Sequence, residues 1–168
     1  MDIVLDSNYL TEFLAQYFDD KIANRGQGRF LPQGIISKEL ARKLNNIMMM
    51  SEEFLSDLVV ASALAFVEIA RNWGELTRNR FTIEQLHTFV YQPPIWFDIA
   101  PVDNDLLPSF VDVPAVVKIG SKLEPIEWTD GVHMATTLSR GEVVNSATLA
   151  TSDHCLIAIL KEQGRHIL

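Results

Sequence analysis

Three short apolar runs in this chain end on a small oxygen-bearing side chain and pass directly into residues at helical spacing. They are IVLDSNYL (3–10), LVVASALAF (58–66) and SATLATSDHCL (146–156). Runs of four or five apolar residues suit buried strands, and Asp, Ser and Thr accept hydrogen bonds from the free N–H groups of a helix start. Strands that repeatedly feed helices belong to parallel sheets, because a parallel neighbour can only be reached through a crossover. The expected fold class is therefore α/β: a three-layer α/β/α sandwich around a central parallel sheet.

The remaining segments fill in that alternation. Residues 2–6 predict a strand and 8–18 a helix, with Tyr9, Leu10, Phe13, Leu14, Tyr17 and Phe18 on one face. The glycines and proline of 24–34 predict an irregular loop, and Ser37 opens a helix to Met50. A strand over 58–61 is followed by Ser62 as cap and a largely buried helix over 63–73. Thr82 opens a helix that Pro93 and Pro94 stop after Tyr91. A strand is expected over 97–102, a short helical stretch within 103–120, and a helix over 130–140 closed by Gly141 as C-cap. Strand 146–151, helix 153–163 and a last short strand over 166–168 complete the chain. No repeat or linker divides it, so one domain over 1–168 is expected.

Composition narrows the function classes. No apolar run approaches the ~20 residues of a membrane span, and MDIVLDSN lacks the basic n-region of a signal peptide, so no membrane association and a cytoplasmic location are expected. The single cysteine, Cys155, has no internal disulfide partner, in keeping with a reducing compartment. A net charge of −8 excludes a basic coat for non-specific nucleic-acid binding. That charge is uneven: residues 21–51 carry six bases against Glu39 alone, and the rest of the chain is strongly acidic.

Four carboxylates stand out by their surroundings. Asp6 follows the first strand, and Glu68 is the only charge between Leu58 and Ala70. Asp130 opens the helix WTDGVHMATTL, and Asp153 follows the strand SATLAT. Capping explains an isolated Asp at such a junction. A buried Glu needs a cation, a hydrogen-bond network or a route to water. In a parallel sheet the C-terminal strand ends share one edge, so the four could converge there. Clustered carboxylates suit Mg²⁺ or Mn²⁺, and no Cys/His spacing offers a zinc site. His133, one turn after Asp130, is read as packing first and as a supporting contact second. Met48–Met50 and the tryptophans Trp73, Trp96 and Trp128 are read as core or interface.

VLDSNYL, SALAFVEIAR with Ser62 six residues before Glu68, TDGVHMATTL and LATSD, in that order, resemble the PIN-domain nucleases, including the toxin ribonucleases of bacterial toxin–antitoxin pairs. FDIAPVDNDLL (97–107) also looks like the family's strand and turn before its next helix. The resemblance covers most of 1–18 and 58–168. It implies a PIN-like sandwich and an acidic site that uses Mg²⁺ or Mn²⁺ to hydrolyse RNA phosphodiester bonds. Asp6, Glu68, Asp130 and Asp153 match the family's four metal-binding and catalytic acids, with Asn8 and Thr151 as supporting residues. It further implies a homodimer and an antitoxin protein as partners.

Two stretches depart from the family pattern. Residues 19–57 form a longer, basic insertion whose Arg25, Arg29, Arg42 and Lys43 are candidate RNA contacts, against the plainer possibility of a solvated insertion. Ser152 precedes Asp153, where the resemblance would place a basic side chain. The alternative to a nuclease is a catalytically silent PIN-like binding or scaffolding module. A phosphotransfer domain with Asp6 as covalent nucleophile would need a DxD pattern after the first strand, and none is present.

Overall fold

The computed structural model describes residues 1–168 apart from 20, 21, 23–27, 51, 144, 145, 166 and 167 and the side chains of 142 and 143. Strands β1 (Asp2–Leu5), β2 (Val59–Ser62), β3 (Phe97–Ala100) and β6 (Ala147–Ala150) form one parallel sheet in the order β3-β2-β1-β6. Along β1 and β2 successive side chains alternate between two cores, as the pleat requires. Ile3, Leu5, Val59 and Ala61 enter one, while Val4 and Val60 enter the other with Leu149 of β6.

Helices cover both faces. The first core is closed by α1 (Ser7–Tyr17), α2 (Lys38–Met48), α3 (Ala63–Arg71) and α5 (Ile83–Tyr91) through Leu10, Phe13, Leu44, Ile69 and Phe89. The second is closed by α7 (Trp128–Val143) and α8 (His154–Glu162) through Met134, Leu156, Ile159 and Leu160. The molecule is thus α/β with a central four-stranded parallel sheet, compatible with a three-layer sandwich. Among the described residues no helix is long and apolar enough to cross a membrane.

The helix starts follow their caps. Ser37 accepts from Leu40 N–H at 3.0 Å, Ser62 from Ala65 N–H at 3.2 Å, and Thr82 forms a reciprocal capping box with Gln85. Other expectations are corrected. The predicted helix over 63–73 ends at Arg71 and is followed by the short α4 (Trp73–Thr77). Gly141 lies inside α7, and α7 begins two residues before Asp130. In 103–120 a 3-10 turn (Asn104–Leu106) and the short α6 (Leu107–Val111) give way to an antiparallel hairpin, β4 (Val116–Ile119) and β5 (Lys122–Pro125), turning at Gly120 with φ 62°. Of the strand expected over 166–168, residues 166 and 167 lie outside the described residues.

Described parts of the basic insertion after α1 belong to the core. Leu40, Ala41, Leu44 and Ile47 of α2 are buried. Asn45 holds the Phe30 backbone at both N–H (2.7 Å) and C=O (2.9 Å), and Gln16 does the same for Leu31 at 2.8 and 3.0 Å. These bonds satisfy peptide groups that have no ladder partner. Trp73 and Trp96 pack against the first core, as expected, whereas Trp128 and Met49 are exposed.

Candidate functional site

The chain moves from β1 to β2 to β3 in one direction across the sheet, and β6 lies on the other side of β1. The crevice between β1 and β6 is therefore a topological switch point, where open α/β sheets place their ligands beyond the C-terminal strand ends. Leu5 pairs with Ala61 on one side and Ala150 on the other, so the next residues, Asp6, Ser62 and Thr151, emerge in one row. The helices that follow these strands carry Glu68 and Asp153. From the opposite face α7 contributes Asp130 and His133.

Asp6 is 5% exposed. Its Oδ1 accepts from Tyr9 N–H at 2.8 Å, and its carboxylate also takes bonds from the Thr151 hydroxyl and the Asn8 backbone. Asp6 itself caps α1. That is the task a small oxygen-bearing side chain performs at the end of an apolar run. Burial raises its pKa above the ordinary aspartate value, against the pull of these donors and of the nearby His133. The Thr151 hydroxyl that bonds Asp6 in the site also accepts from Asp153 N–H at 3.0 Å. Asn8 supports it through its backbone, and the residue itself is exposed.

Glu68 is held from two sides. Ser7 Oγ donates to its Oε2 at 2.7 Å, and His133 Nε2 lies 3.0 Å from the same oxygen. Burial alone would raise the pKa of Glu68, but the His133 and Ser7 bonds and the histidine's charge outweigh it and hold the group below its ordinary value. His133 is 1% exposed, with Nδ1 3.2 Å from Ser62 Oγ. One chain of bonds therefore runs through the ring: Ala65 N–H donates to Ser62 Oγ, which lies against His133 Nδ1, while His133 Nε2 lies against Glu68 Oε2.

Asp130 sits in the first turn of α7 with no hydrogen-bond donor on its carboxylate among the described residues. Its pKa is pushed up to about 6, first by burial and then by the negative charge of Asp153, with smaller contributions from Glu127 and Glu68 and an opposing one from His133. Asp153 caps α8 with Oδ1, which accepts from Cys155 and Leu156 N–H, both at 2.9 Å. Capping and site membership are therefore compatible, since each carboxylate has a second oxygen.

Asp6, Glu68 and Asp130 thus lie within electrostatic reach of His133, and Asp130 within that of Glu68 and Asp153. They are not drawn into a tight cage: among the described residues the one group of three or more His, Cys, Asp or Glu ligand atoms within 4.8 Å of one another is Glu124, His154 and Cys155. The oxygen-rich donor set nonetheless fits a hard divalent cation, because Asp130 has negative neighbours and lacks a donor to offset them.

The basic candidates lie elsewhere. Arg29 and Arg42 line one groove with Lys38, Asn45 and Asn46, and that groove includes none of the four acids. Lys43 pairs with Glu39 one helical turn away at 3.7 Å, and Arg25 lies outside the described residues. Two arginines that sequence reasoning did not single out, Arg78 and Arg80, line a depression shared with Asn8 and Ser152 beside the site. Arg78 and Asn79 have φ of 49° and 56°, a left-handed turn that brings Arg80 back to an ion pair with Glu12 of α1. No family model, curated protein or solved structure matches the chain. What the site does is therefore read from its own geometry.

Proposed function

We propose that this chain is a PIN-like, divalent-metal-dependent ribonuclease that hydrolyses RNA phosphodiester bonds, of the kind found as toxins in toxin–antitoxin pairs. The observation that carries the proposal is the gathering of Asp6, Glu68 and Asp130 within reach of His133 at the sheet's switch point, with Asp153 beside Asp130. Mg²⁺ or Mn²⁺ would be held by the Asp130 carboxylate and by the oxygens that Asp6, Glu68 and Asp153 do not use internally. When bound, such an ion supplies an activated water and neutralises charge on the scissile phosphate. Ser7 and His133 fix the angle of the Glu68 carboxylate through one oxygen and leave the other turned outward. Thr151 ties Asp6 to the Asp153 backbone, so the two strand ends keep one spacing. Arg78 and Arg80 offer positive charge beside Ser152, where the chain itself lacks a basic residue.

Homodimer formation and an antitoxin protein belong to the same proposal. A stripe of exposed residues on α5, Ile83, Val90 and Tyr91, favours self-association. The second reading, a silent binding module, draws on the internal hydrogen bonds of Asp6 and Glu68 and on the open spacing of the acids.

Labelled RNA incubated with the protein and Mn²⁺, beside Asp130→Asn and Glu68→Gln, separates the two. The nuclease reading expects wild-type cleavage that falls at least about a hundredfold in each variant, the scale lost with one preorganised charge-stabilising group. Cleavage that persists in both variants refutes the site, and RNA binding without any cleavage across a broad set of substrates supports the module.

A further inference from the structure

Just past Asp153, β5 and the start of α8 bring three unlike donors to one point. Glu124 Oε2 lies 2.6 Å from His154 Nε2 and 3.8 Å from Cys155 Sγ. The ligand atoms of all three fall within 4.8 Å of one another, and no other described group does so. Glu124 comes from 30 residues upstream of His154, so no local Cys/His spacing announces the group.

Carboxylate, imidazole and thiol together form a donor set for a borderline cation, and in particular for four-coordinate zinc. Metal–ligand bonds of about 2.0–2.3 Å at tetrahedral angles set the ligands roughly 3.3–3.7 Å apart. The Glu124–Cys155 separation is already close to that. The Glu124–His154 pair would open by less than about 1 Å, which the His154 side chain can supply because it is 64% exposed. Cys155 is buried and fixed in the second core beside Leu156 and Val117 of β4, while Glu124 is one-third exposed. One anchored ligand, two adjustable ones and an open side leave room for a water as fourth ligand.

We propose that Glu124, His154 and Cys155 form a Zn²⁺ site, distinct from the acidic crevice. Binding forms a zinc–sulfur bond as the Cys155 thiol releases its proton to the buffer, with no change of oxidation state. The ion would clamp the β4–β5 hairpin to the helix start that Asp153 caps. Hard Mg²⁺ and Mn²⁺ prefer oxygen donors, so the two sites select different ions.

The test uses the full chain, stripped with a chelator and kept reduced with a phosphine. Co²⁺ is titrated in as the spectroscopic probe and then displaced by Zn²⁺, in the presence of excess Mg²⁺. The proposal expects one Co²⁺ per chain with a thiolate-to-cobalt charge-transfer band, which disappears on adding one equivalent of Zn²⁺. Cys155→Ser should abolish the band. His154→Ala and Glu124→Gln change exposed groups that the fold does not need, and each should weaken Zn²⁺ binding about tenfold or more. Asp130→Asn, whose carboxylate reaches Cys155 through charge alone, should weaken binding far less than either. Absence of the charge-transfer band, or Zn²⁺ affinity indifferent to both His154→Ala and Glu124→Gln, overturns the proposal. So does an equal weakening in Asp130→Asn, which would assign the ion to the acidic crevice.

Discussion

Asp6 and Asp153 each commit one carboxylate oxygen to a helix start, whereas Asp130 has negative neighbours and no donor among the described residues. That difference gives Asp130 a testable pH signature. Its pKa in the folded chain, about 6, lies above the ordinary value of 3.8, so folding favours the protonated form. The stabilisation is complete below about pH 3.8 and is lost as pH rises through about 6. A shift of this size corresponds to roughly 3 kcal/mol, and solvent screening at a half-exposed side chain reduces it to about 1 kcal/mol. Asp130→Asn should therefore be more stable than wild type by about 1 kcal/mol at pH 8, with the gap closing by pH 4. Urea unfolding at both pH values measures this, and a gap independent of pH would contradict it. Glu68 has the opposite sign: its lowered pKa contributes stability above the ordinary 4.5 that disappears as pH falls through the folded value. His133→Ala removes the partner of both Ser62 and Glu68 and should cost about 1–3 kcal/mol. It should also move the Glu68 carboxyl titration upward in a ¹³C NMR series, because burial is then opposed by Ser7 alone.

At the level of elements, α7 carries the site residues Asp130 and His133 and also two glycines, Gly131 and Gly141. A Cβ at Gly141 would stand 3.2 Å from Arg165 Nη1, which donates to the Ala147 carbonyl at 3.1 Å. The neighbour is the far end of a flexible side chain, so the guanidinium can yield by a few tenths of an ångström. Helix propensity favours Ala over Gly by about 1 kcal/mol, and Gly141→Ala should therefore stabilise the chain by about 0.5 kcal/mol in thermal or urea unfolding. A destabilised variant would mean that the Arg165 bond resists. Gly141 also shows where sequence reasoning stops short, since a glycine after an amphipathic run has the same local signature whether the helix ends there or continues. The strand-to-helix junctions at Asp6, Ser62 and Asp153 were legible because the apolar runs, the capping residue and the helical period agree with one another at each. The hairpin was not, because among the residues of β4 and β5 only Val117 is buried, leaving no alternation to read. Its one signal was IGSK, a two-residue Gly-Ser turn between VVKI and KLEP.

For the molecule as a whole, the positive charge found beside Asn8 and Ser152 among the described residues is not the charge most visible in the sequence. Residues 21–51 dominate any charge profile, yet Arg29 and Arg42 face a groove without site residues, while Arg78 and Arg80 arrive beside Asn8 and Ser152. Sequence could single out the acids, since Asp6, Asp130 and Asp153 sit at junctions with a recognisable period and Glu68 is the one charge in an apolar run. It could not name these arginines, since their place depends on a left-handed turn after α4 and on an ion pair back to α1. On the ribonuclease reading, an RNA strand entering the crevice passes Arg78 and Arg80 first, and each phosphate they cease to neutralise lowers the salt dependence of binding by about 0.7 in log–log slope. Arg78→Glu with Arg80→Glu should therefore flatten the slope for single-stranded RNA by the equivalent of one or two phosphates and weaken binding at low salt. Arg29→Glu with Arg42→Glu should change it far less. The comparison belongs in the cleavage-deficient Asp130→Asn background, so that substrate survives the titration. A slope that responds only to Arg29 and Arg42 would move the RNA path to the α2 groove, away from the acids, and would separate binding from the proposed chemistry.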